Sequence, residues 1–156
     1  MRLRLLAFTA LCAAPFAVAA QDLTWSKDIQ PLIKGQCGAC HGASAPSYEE
    51  WNLDRKNFEA KKIGPRMDNY TDFMRHVVWP ATGSMARRLD DGKNAAGKPG
   101  NMYMFLGADD AARAKNLATI KAWLGGDAAW NLNRWEARGD VPAITKEQLD
   151  KIKGKY

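Results

Sequence analysis

The apolar residues of this chain recur every three or four positions, which is helical spacing, and no segment alternates apolar and polar residues as a half-buried strand does. The clearest case is the segment 108–126, where Leu117, Ile120 and Leu124 fall on one face. Aspartates stand near the start of this segment and two glycines at its end, and both favour helix termini. The pattern predicts an all-α fold whose strongest helix lies in this segment.

Two more helices are predicted in the first half of the chain. The segment 24–37 has apolar residues at helical spacing, with Ser26 as the expected cap and Pro31 at a kink or at the start of a second helix. Ser47 stands three residues before a glutamate, which is the spacing of a capping box. It predicts one helix from about Tyr48 to Lys61.

The second half of the chain continues in the same way. The segment 69–80 predicts a helix that Thr71 caps and Pro80 ends. Residues 81–101 are rich in glycine, alanine and charge, so we expect an ordered surface loop there, followed by one short helical turn. Thr145 and the glutamine three residues after it predict a last short helix.

The amino terminus has the pattern of a secretory signal. Arg2 and Arg4 precede an apolar run over residues 5–16, and small residues follow that run. The run is too short to cross a bilayer as a helix of the mature protein. We therefore expect a signal peptide over the first 20 residues, with cleavage near Ala19 or Ala20 and a periplasmic location.

A lipoprotein signal is the alternative, because Cys12 lies within the leader. Thr9 stands three residues before it, where leucine is usual, and cleavage at Cys12 would cut the apolar run short. Removing the longer leader leaves a chain of single-domain length. We expect one domain over residues 21–126 and an extension, 127–156, packed on the same domain.

The charge of the chain is modestly positive. The sequence has 23 lysines and arginines against 17 aspartates and glutamates, spread along its length rather than gathered in a stripe. Nucleic-acid binding usually needs a concentrated basic patch, so we do not expect that class of partner. We also expect no transmembrane segment in the mature chain, because no other run is apolar for long enough.

Cys37, Cys40 and His41 form the strongest chemical motif of the chain, and three chemistries use such residues. In an oxidising compartment two idle thiols would become a disulfide. A thioredoxin-type dithiol would need alternating strands and helices, which the pattern does not show. Structural zinc would need a fourth ligand, for which His76 is the candidate. The second cysteine pair that is usual in such sites is missing.

Covalent haem attachment uses all three residues of the motif. Cys-x-x-Cys-His is the attachment sequence of c-type haem, in which two thiols add to the haem vinyl groups. The histidine that follows supplies the proximal ligand of the iron. Because the chain carries an export signal, this pattern favours one covalently bound haem c on Cys37, Cys40 and His41 over the thiol and zinc alternatives.

The chain resembles class I cytochromes c over residues 26–125. The likeness consists of an N-terminal helix, the CGACH motif, a Gly-Pro loop, a helix that ends in VVWPATGSM, and a last core helix with Trp123. The resemblance implies that family's all-α fold around one haem. The helix between the motif and the loop is an extra element, and the C-terminal extension is another.

The resemblance also assigns a role to Pro65. In the family, the carbonyl group of a proline in a Gly-Pro loop accepts the hydrogen bond of the proximal histidine, which orients the imidazole. Pro65 matches that proline. We therefore expect its carbonyl group beside His41.

A methionine is the sixth ligand that the resemblance implies. Met85 matches it, because VVWPATGSM is similar to the family's run of helix, proline, glycine and methionine. Met102 and Met104 are alternatives, since they lie just before the last core helix, where many short bacterial members carry the ligand. His76 would make a bis-histidine haem, but as a helix residue beside Arg75 we expect it to be partly exposed.

A haem iron with His41 and Met85 on its two faces has no open site, so we expect one-electron transfer between redox proteins rather than enzyme catalysis. The protein would be a monomer or part of a complex. Two alternatives remain open. One is an electron-transfer subunit of a periplasmic dehydrogenase or reductase that docks through the tail, and the other is a haem enzyme or gas sensor with an open sixth position.

Overall fold

The structure, a computed structural model, describes residues 22–93, 97–130 and 144–156, and every regular element among them is helical. The all-α prediction is therefore confirmed. A π-helix over Trp25–Ile29 leads into α1, and a 3₁₀ turn over Tyr103–Leu106 precedes α6. The α-helices are α1 Gln30–His41, α2 Tyr48–Leu53, α3 Arg55–Ala60, α4 Tyr70–Arg75, α5 Ser84–Leu89, α6 Asp110–Leu124, α7 Asp127–Trp130 and α8 Lys146–Leu149.

The first helical segment is capped by Thr24, so the prediction of Ser26 is wrong. The Thr24 hydroxyl accepts a hydrogen bond from the Lys27 amide at 3.3 Å, and the Thr24 amide donates to the Asp28 carboxylate at 2.8 Å. This reciprocal pair satisfies amides that the first turn cannot bond internally. Pro31 lies in the first turn of α1, where no amide hydrogen is required.

The extra segment after the motif is two helices rather than the single helix predicted from Tyr48 to Lys61. Its capping box at Ser47 is present as predicted. The helix breaks at Asp54, whose φ of −132° and ψ of 45° are not helical. Its carboxylate accepts a hydrogen bond from the Asn57 side chain at 2.8 Å, and aspartate favours such local bonds over a helix interior.

The region 69–101 differs most from the sequence prediction. Asn69 caps α4 instead of Thr71, and the helix ends at Arg75, before Pro80. The expected surface loop contains α5, in which Met85 and Leu89 are buried. Burial of these two side chains in the core stabilises this helix. The glycine-rich and charged composition of the segment does not indicate that burial.

An aromatic cluster joins the π-helix, α4 and α6. The Trp25 ring lies 5.2 Å from Phe73 and 5.8 Å from Trp123, centroid to centroid. The predicted stripe of α6 is buried against the same core, and Asp109 and Gly125 cap that helix. Such aromatic contacts contribute beyond simple burial, so this cluster fixes α1 against α6.

The C-terminal residues pack on this cluster. The Lys155 carbonyl oxygen accepts hydrogen bonds from the Trp25 amide and from the Trp123 indole, both at 2.8 Å. The predicted capping box at Thr145 is present. The tail carries two tryptophans. Trp130 is buried, and Trp135 lies outside the described residues. In the described ranges no helix has the length and apolar character that a bilayer crossing requires.

Candidate cofactor site

The cysteine motif occupies the last turns of α1. Cys37 and Cys40 lie three residues apart on that helix, so both thiols project from one side of it. Neither forms a disulfide; Cys37 is half-buried and Cys40 is exposed. Burial, and then the neighbouring Cys40, raises the pKa of the Cys37 thiol to about 11. Because a redox dithiol needs a lowered pKa, the pair does not fit the thioredoxin-type hypothesis.

The loop over residues 63–67 docks on the carboxyl end of α1. The Gly64 amide donates to the Cys40 carbonyl oxygen at 3.2 Å, and the Met67 amide donates to that of His41 at 2.9 Å. The last carbonyl groups of a helix have no partner within it, so these two bonds satisfy them. The docking places Pro65 directly beside the histidine of the motif.

His41 is held in one tautomer by this loop. Its Nδ1 lies 2.7 Å from the Pro65 carbonyl oxygen. A carbonyl oxygen can only accept, so Nδ1 carries the proton and Nε2 keeps its lone pair. Burial lowers the pKa of the imidazole, which keeps it neutral. A neutral imidazole with a free Nε2 is the form that binds a metal.

Gly64 lets the loop approach the imidazole closely. A Cβ atom at this position would overlap the ring atoms of His41. Only glycine can bring its backbone so near a side chain. The Gly-Pro pair therefore has two separate tasks, close approach at Gly64 and hydrogen bonding at Pro65.

The helix α2 contacts the loop over residues 63–67 and also a second histidine, His76. The Trp51 indole donates to the Ile63 carbonyl oxygen at 3.0 Å, which ties α2 to the docking loop. The Tyr48 ring meets the His76 ring edge to face at 5.6 Å between centroids. The extra segment after the motif thus fixes the loop and a second histidine relative to each other.

The second histidine, His76, is buried. The sequence-based expectation that it is partly exposed is therefore wrong. His76 follows α4 and is 5% exposed. Its Nδ1 lies 3.0 Å from the Ser84 hydroxyl, and its buried Nε2 has no hydrogen-bond partner among the described residues. Burial first, and then the charge of His41, lowers its pKa to about 3. The apolar run that follows it, Val77 to Trp79, gives no consistent signal of burial, because Val77 is buried and Trp79 is 59% exposed.

The candidate sixth ligands differ in their surroundings. Met85 is 6% exposed in the first turn of α5, and its amide donates to the His76 carbonyl oxygen at 2.9 Å. Met102 is half-buried against the apolar core. Met104 is 65% exposed. The structure therefore places Met85 and His76 side by side and turns Met104 towards solvent.

A positive charge lies beside the site. The charge of Arg88 lowers the pKa of both His41 and His76, so its guanidinium group is near both imidazoles. Such a charge suits a cofactor that carries carboxylates, as haem does with its propionates. In the three described ranges no three His, Cys, Asp or Glu side chains cluster as metal ligands, so the four-ligand set of a zinc site is not assembled.

The donor set fits covalently attached haem. Two unpaired thiols share one side of a helix, and the next residue is a neutral imidazole with a free nitrogen. Cys37 packs against the hydrophobic core, and Met85, which carries a soft donor, belongs to that core. The site can therefore hold a haem through Cys37, Cys40 and His41.

Comparison with known proteins agrees with this chemistry. The family model described as "PccH Cytochrome c" matches residues 24–156. The solved structure of the monohaem cytochrome PccH from Geobacter sulfurreducens is similar, with 44% sequence identity and a TM-score of 0.73, over 86% of this chain and 99% of that one. No curated protein matches the chain.

Proposed function

The chain belongs to the PccH cytochrome c family, and we propose on this premise that it is a periplasmic one-electron carrier between redox proteins. It is a monohaem c-type cytochrome, so one haem c supplies the one-electron couple. Membership of the family supports electron transfer over enzyme catalysis. The chain's own residues decide whether the iron is closed to substrates.

Three residues hold the haem on the proximal side in this proposal. Cys37 and Cys40 form the thioether links, and His41 binds the iron through Nε2. The observation that carries the proposal is the 2.7 Å hydrogen bond from His41 Nδ1 to the Pro65 carbonyl oxygen. It orients the ring and raises the basicity of the ligand nitrogen, as partners of metal-bound histidines do.

Met85 is the distal ligand in this proposal. It is buried on the element that follows His76, and its amide donates to the His76 carbonyl oxygen at 2.9 Å. A thioether favours ferrous iron and raises the reduction potential. With both axial positions filled, the iron has no place for a substrate, which is the reason to expect electron transfer.

Substitution of the methionines tests this ligand. Oxidised wild-type protein, matured with the c-type attachment machinery, should be six-coordinate and low-spin, with a methionine-to-iron band at the red end of its optical spectrum. Met85→Ala should abolish the band. Met104→Ala is the matched control, because that side chain is 65% exposed, and it should retain the band. Persistence of the band in Met85→Ala would exclude Met85 as the ligand.

Export is the second part of the proposal, and it depends on the leader. Residues 1–20 are the proposed signal peptide, which lies outside the described residues. Mass spectrometry of the purified protein should give a mature chain that begins after Ala19 or Ala20 and carries the mass of one haem. A chain that begins at Cys12 with attached lipid would support the lipoprotein alternative instead.

The C-terminal extension over residues 127–156 belongs to the same unit in this proposal. Its last residues cover two tryptophans of the core through the Lys155 carbonyl oxygen. Trp130, at its start, is 1% exposed. These contacts support an anchored tail over a tail that serves as a dock for a larger complex.

A further inference from the structure

The imidazole rings of His41 and His76 have similar surroundings. His76 is buried and His41 is half-buried. Each imidazole has an oxygen atom within hydrogen-bond distance of Nδ1, and Nε2 has no hydrogen-bond partner among the residues that the structure describes. For His41 this arrangement prepares a metal ligand. The question is which tautomer His76 adopts, because an Nε2 that carries a proton could not bind a metal.

The Ser84 hydroxyl answers this question. Its oxygen lies 3.4 Å from the His76 carbonyl oxygen, and a carbonyl oxygen can only accept, so the hydroxyl proton points there. That proton is then not available to Nδ1 of His76, which lies 3.0 Å from the same hydroxyl oxygen. With Nδ1 as the donor to Ser84 the hydroxyl meets both contacts, whereas the opposite tautomer would leave a buried, unpaired N–H group on Nε2. The contacts therefore favour the lone pair of the imidazole on Nε2.

The lone pair of Nε2 is not used by any group in the described part of the chain. His76 is 5% exposed, and Nε2 itself is shielded from solvent with no donor in reach among the described residues. Most buried polar atoms in proteins have a partner, so an unpaired one calls for an explanation.

His76 also lies beside the proposed distal ligand, and α2 ties it to the loop that holds His41. The Met85 amide donates to its carbonyl oxygen at 2.9 Å, and the Ser84 hydroxyl lies 3.0 Å from its imidazole. The Tyr48 ring packs against the imidazole and restrains it. Nitrogen and sulfur donors are therefore presented side by side on consecutive elements.

We propose that His76 is a reserve axial ligand whose Nε2 binds the haem iron when the thioether of Met85 is lost. The inference rests on the proposed function, with His41 on one face of the haem and Met85 on the other. Ser84 is a positioning residue, because it fixes the tautomer through Nδ1. The reserve ligand keeps the iron six-coordinate and closed to external ligands.

Ferric Met85→Ala protein tests the proposal by optical and electron paramagnetic resonance spectra. It should remain low-spin, with the spectrum of two nitrogen ligands and a reduction potential below that of the wild type. Adding His76→Leu should convert it to high-spin. Imidazole added to the double variant should restore the low-spin spectrum, which shows that the protein still folds and holds haem.

Imidazole affinity gives a second measurement. Because His76 competes for the same position, Met85→Ala should bind imidazole at least about tenfold more weakly than the double variant, a difference of ~1.4 kcal/mol. Ser84→Ala in the Met85→Ala background should shift the affinity towards that of the double variant, because the orienting bond is gone. Equal affinities in Met85→Ala and the double variant, with both high-spin, would overturn the proposal.

Two further outcomes separate this proposal from the assignment of Met85. If Met85→Ala keeps the methionine-to-iron band, the assignment of Met85 fails. Met102→Ala is then compared with and without His76→Leu. A low-spin spectrum of Met102→Ala that is lost when His76→Leu is added supports the reserve ligand. If wild-type protein lacks the band and His76→Leu alone becomes high-spin, His76 is the resident ligand, and the reserve role is overturned.

Discussion

At the scale of single residues, Gly64 shows that the loop beside His41 has no room for an added side-chain atom. Its backbone occupies the space beside the His41 ring where any Cβ atom would overlap. The neighbouring Pro65 carbonyl depends on that approach, because the docking bond at Gly64 is only one residue away. A change at Gly64 therefore reaches the imidazole of His41 without altering any of the proposed ligands.

Gly64→Ala should destabilise the folded holoprotein by about 1–3 kcal/mol, because the added methyl group forces the loop or the imidazole to move. Denaturant unfolding monitored by the haem absorbance measures this loss. Gly35→Ala is the matched control in α1, with no atom within 4 Å of the new Cβ. It should stabilise the protein by up to ~1 kcal/mol, because alanine favours a helix. The same sign for both variants would contradict this account.

Local motifs and distant contacts explain what the sequence could predict about residues. The positions of Cys37, Cys40 and His41 follow from a five-residue motif, whose chemistry depends only on its own spacing. The burial of His76 depends on Tyr48 and Ser84, which come from different helices. No pattern next to His76 encodes those partners, so partial exposure was expected.

At the scale of elements, signals three or four residues apart were sufficient where they stood alone. The capping boxes at Ser47 and Thr145 and the ends of α6 were predicted for this reason. The cap of α4 was predicted incorrectly, because Asn69 and Thr71 are both suitable caps, lie close together, and only the packing of α4 selects one of them. The helix α5 was missed because burial of Met85, rather than composition, stabilises it.

The cap of α4 gives a prediction at this scale. The Asn69 side chain accepts a hydrogen bond from the Asp72 amide at 2.9 Å, whereas Thr71 is exposed within the first turn. Asn69→Ala should cost about 1 kcal/mol of stability, the usual value of a lost cap. Thr71→Ala should change it by less than ~0.5 kcal/mol, as exposed positions do. Thermal unfolding of the two variants compares them, and an equal loss would be evidence against this assignment.

At the scale of the whole molecule, the ends of the chain meet. The Lys155 carbonyl oxygen accepts from Trp25 near the start and from Trp123 in the last core helix. The Tyr70 hydroxyl donates to the Gly154 carbonyl oxygen at 3.1 Å. The terminal residues therefore close the aromatic core that holds the haem-bearing helix α1.

Deletion of residues 153–156 should lower the stability of the holoprotein by about 2–6 kcal/mol, because two buried donors lose their acceptor at roughly 1–3 kcal/mol each. Lys155→Ala is the control, since it keeps the backbone carbonyl and removes only an exposed ion pair with Asp22. That pair should contribute less than about 1 kcal/mol. Denaturant midpoints measure both, and full stability of the truncated protein would instead favour a tail that serves as a dock.

The central claim is that the iron of this monohaem cytochrome is closed on both sides and serves electron transfer. Exposure of reduced wild-type holoprotein to carbon monoxide at neutral pH tests it most directly. The optical spectrum should not change, because His41 and the distal donor fill both axial positions. A rapid shift to the spectrum of a carbon monoxide complex would contradict the account and identify a haem with an open site.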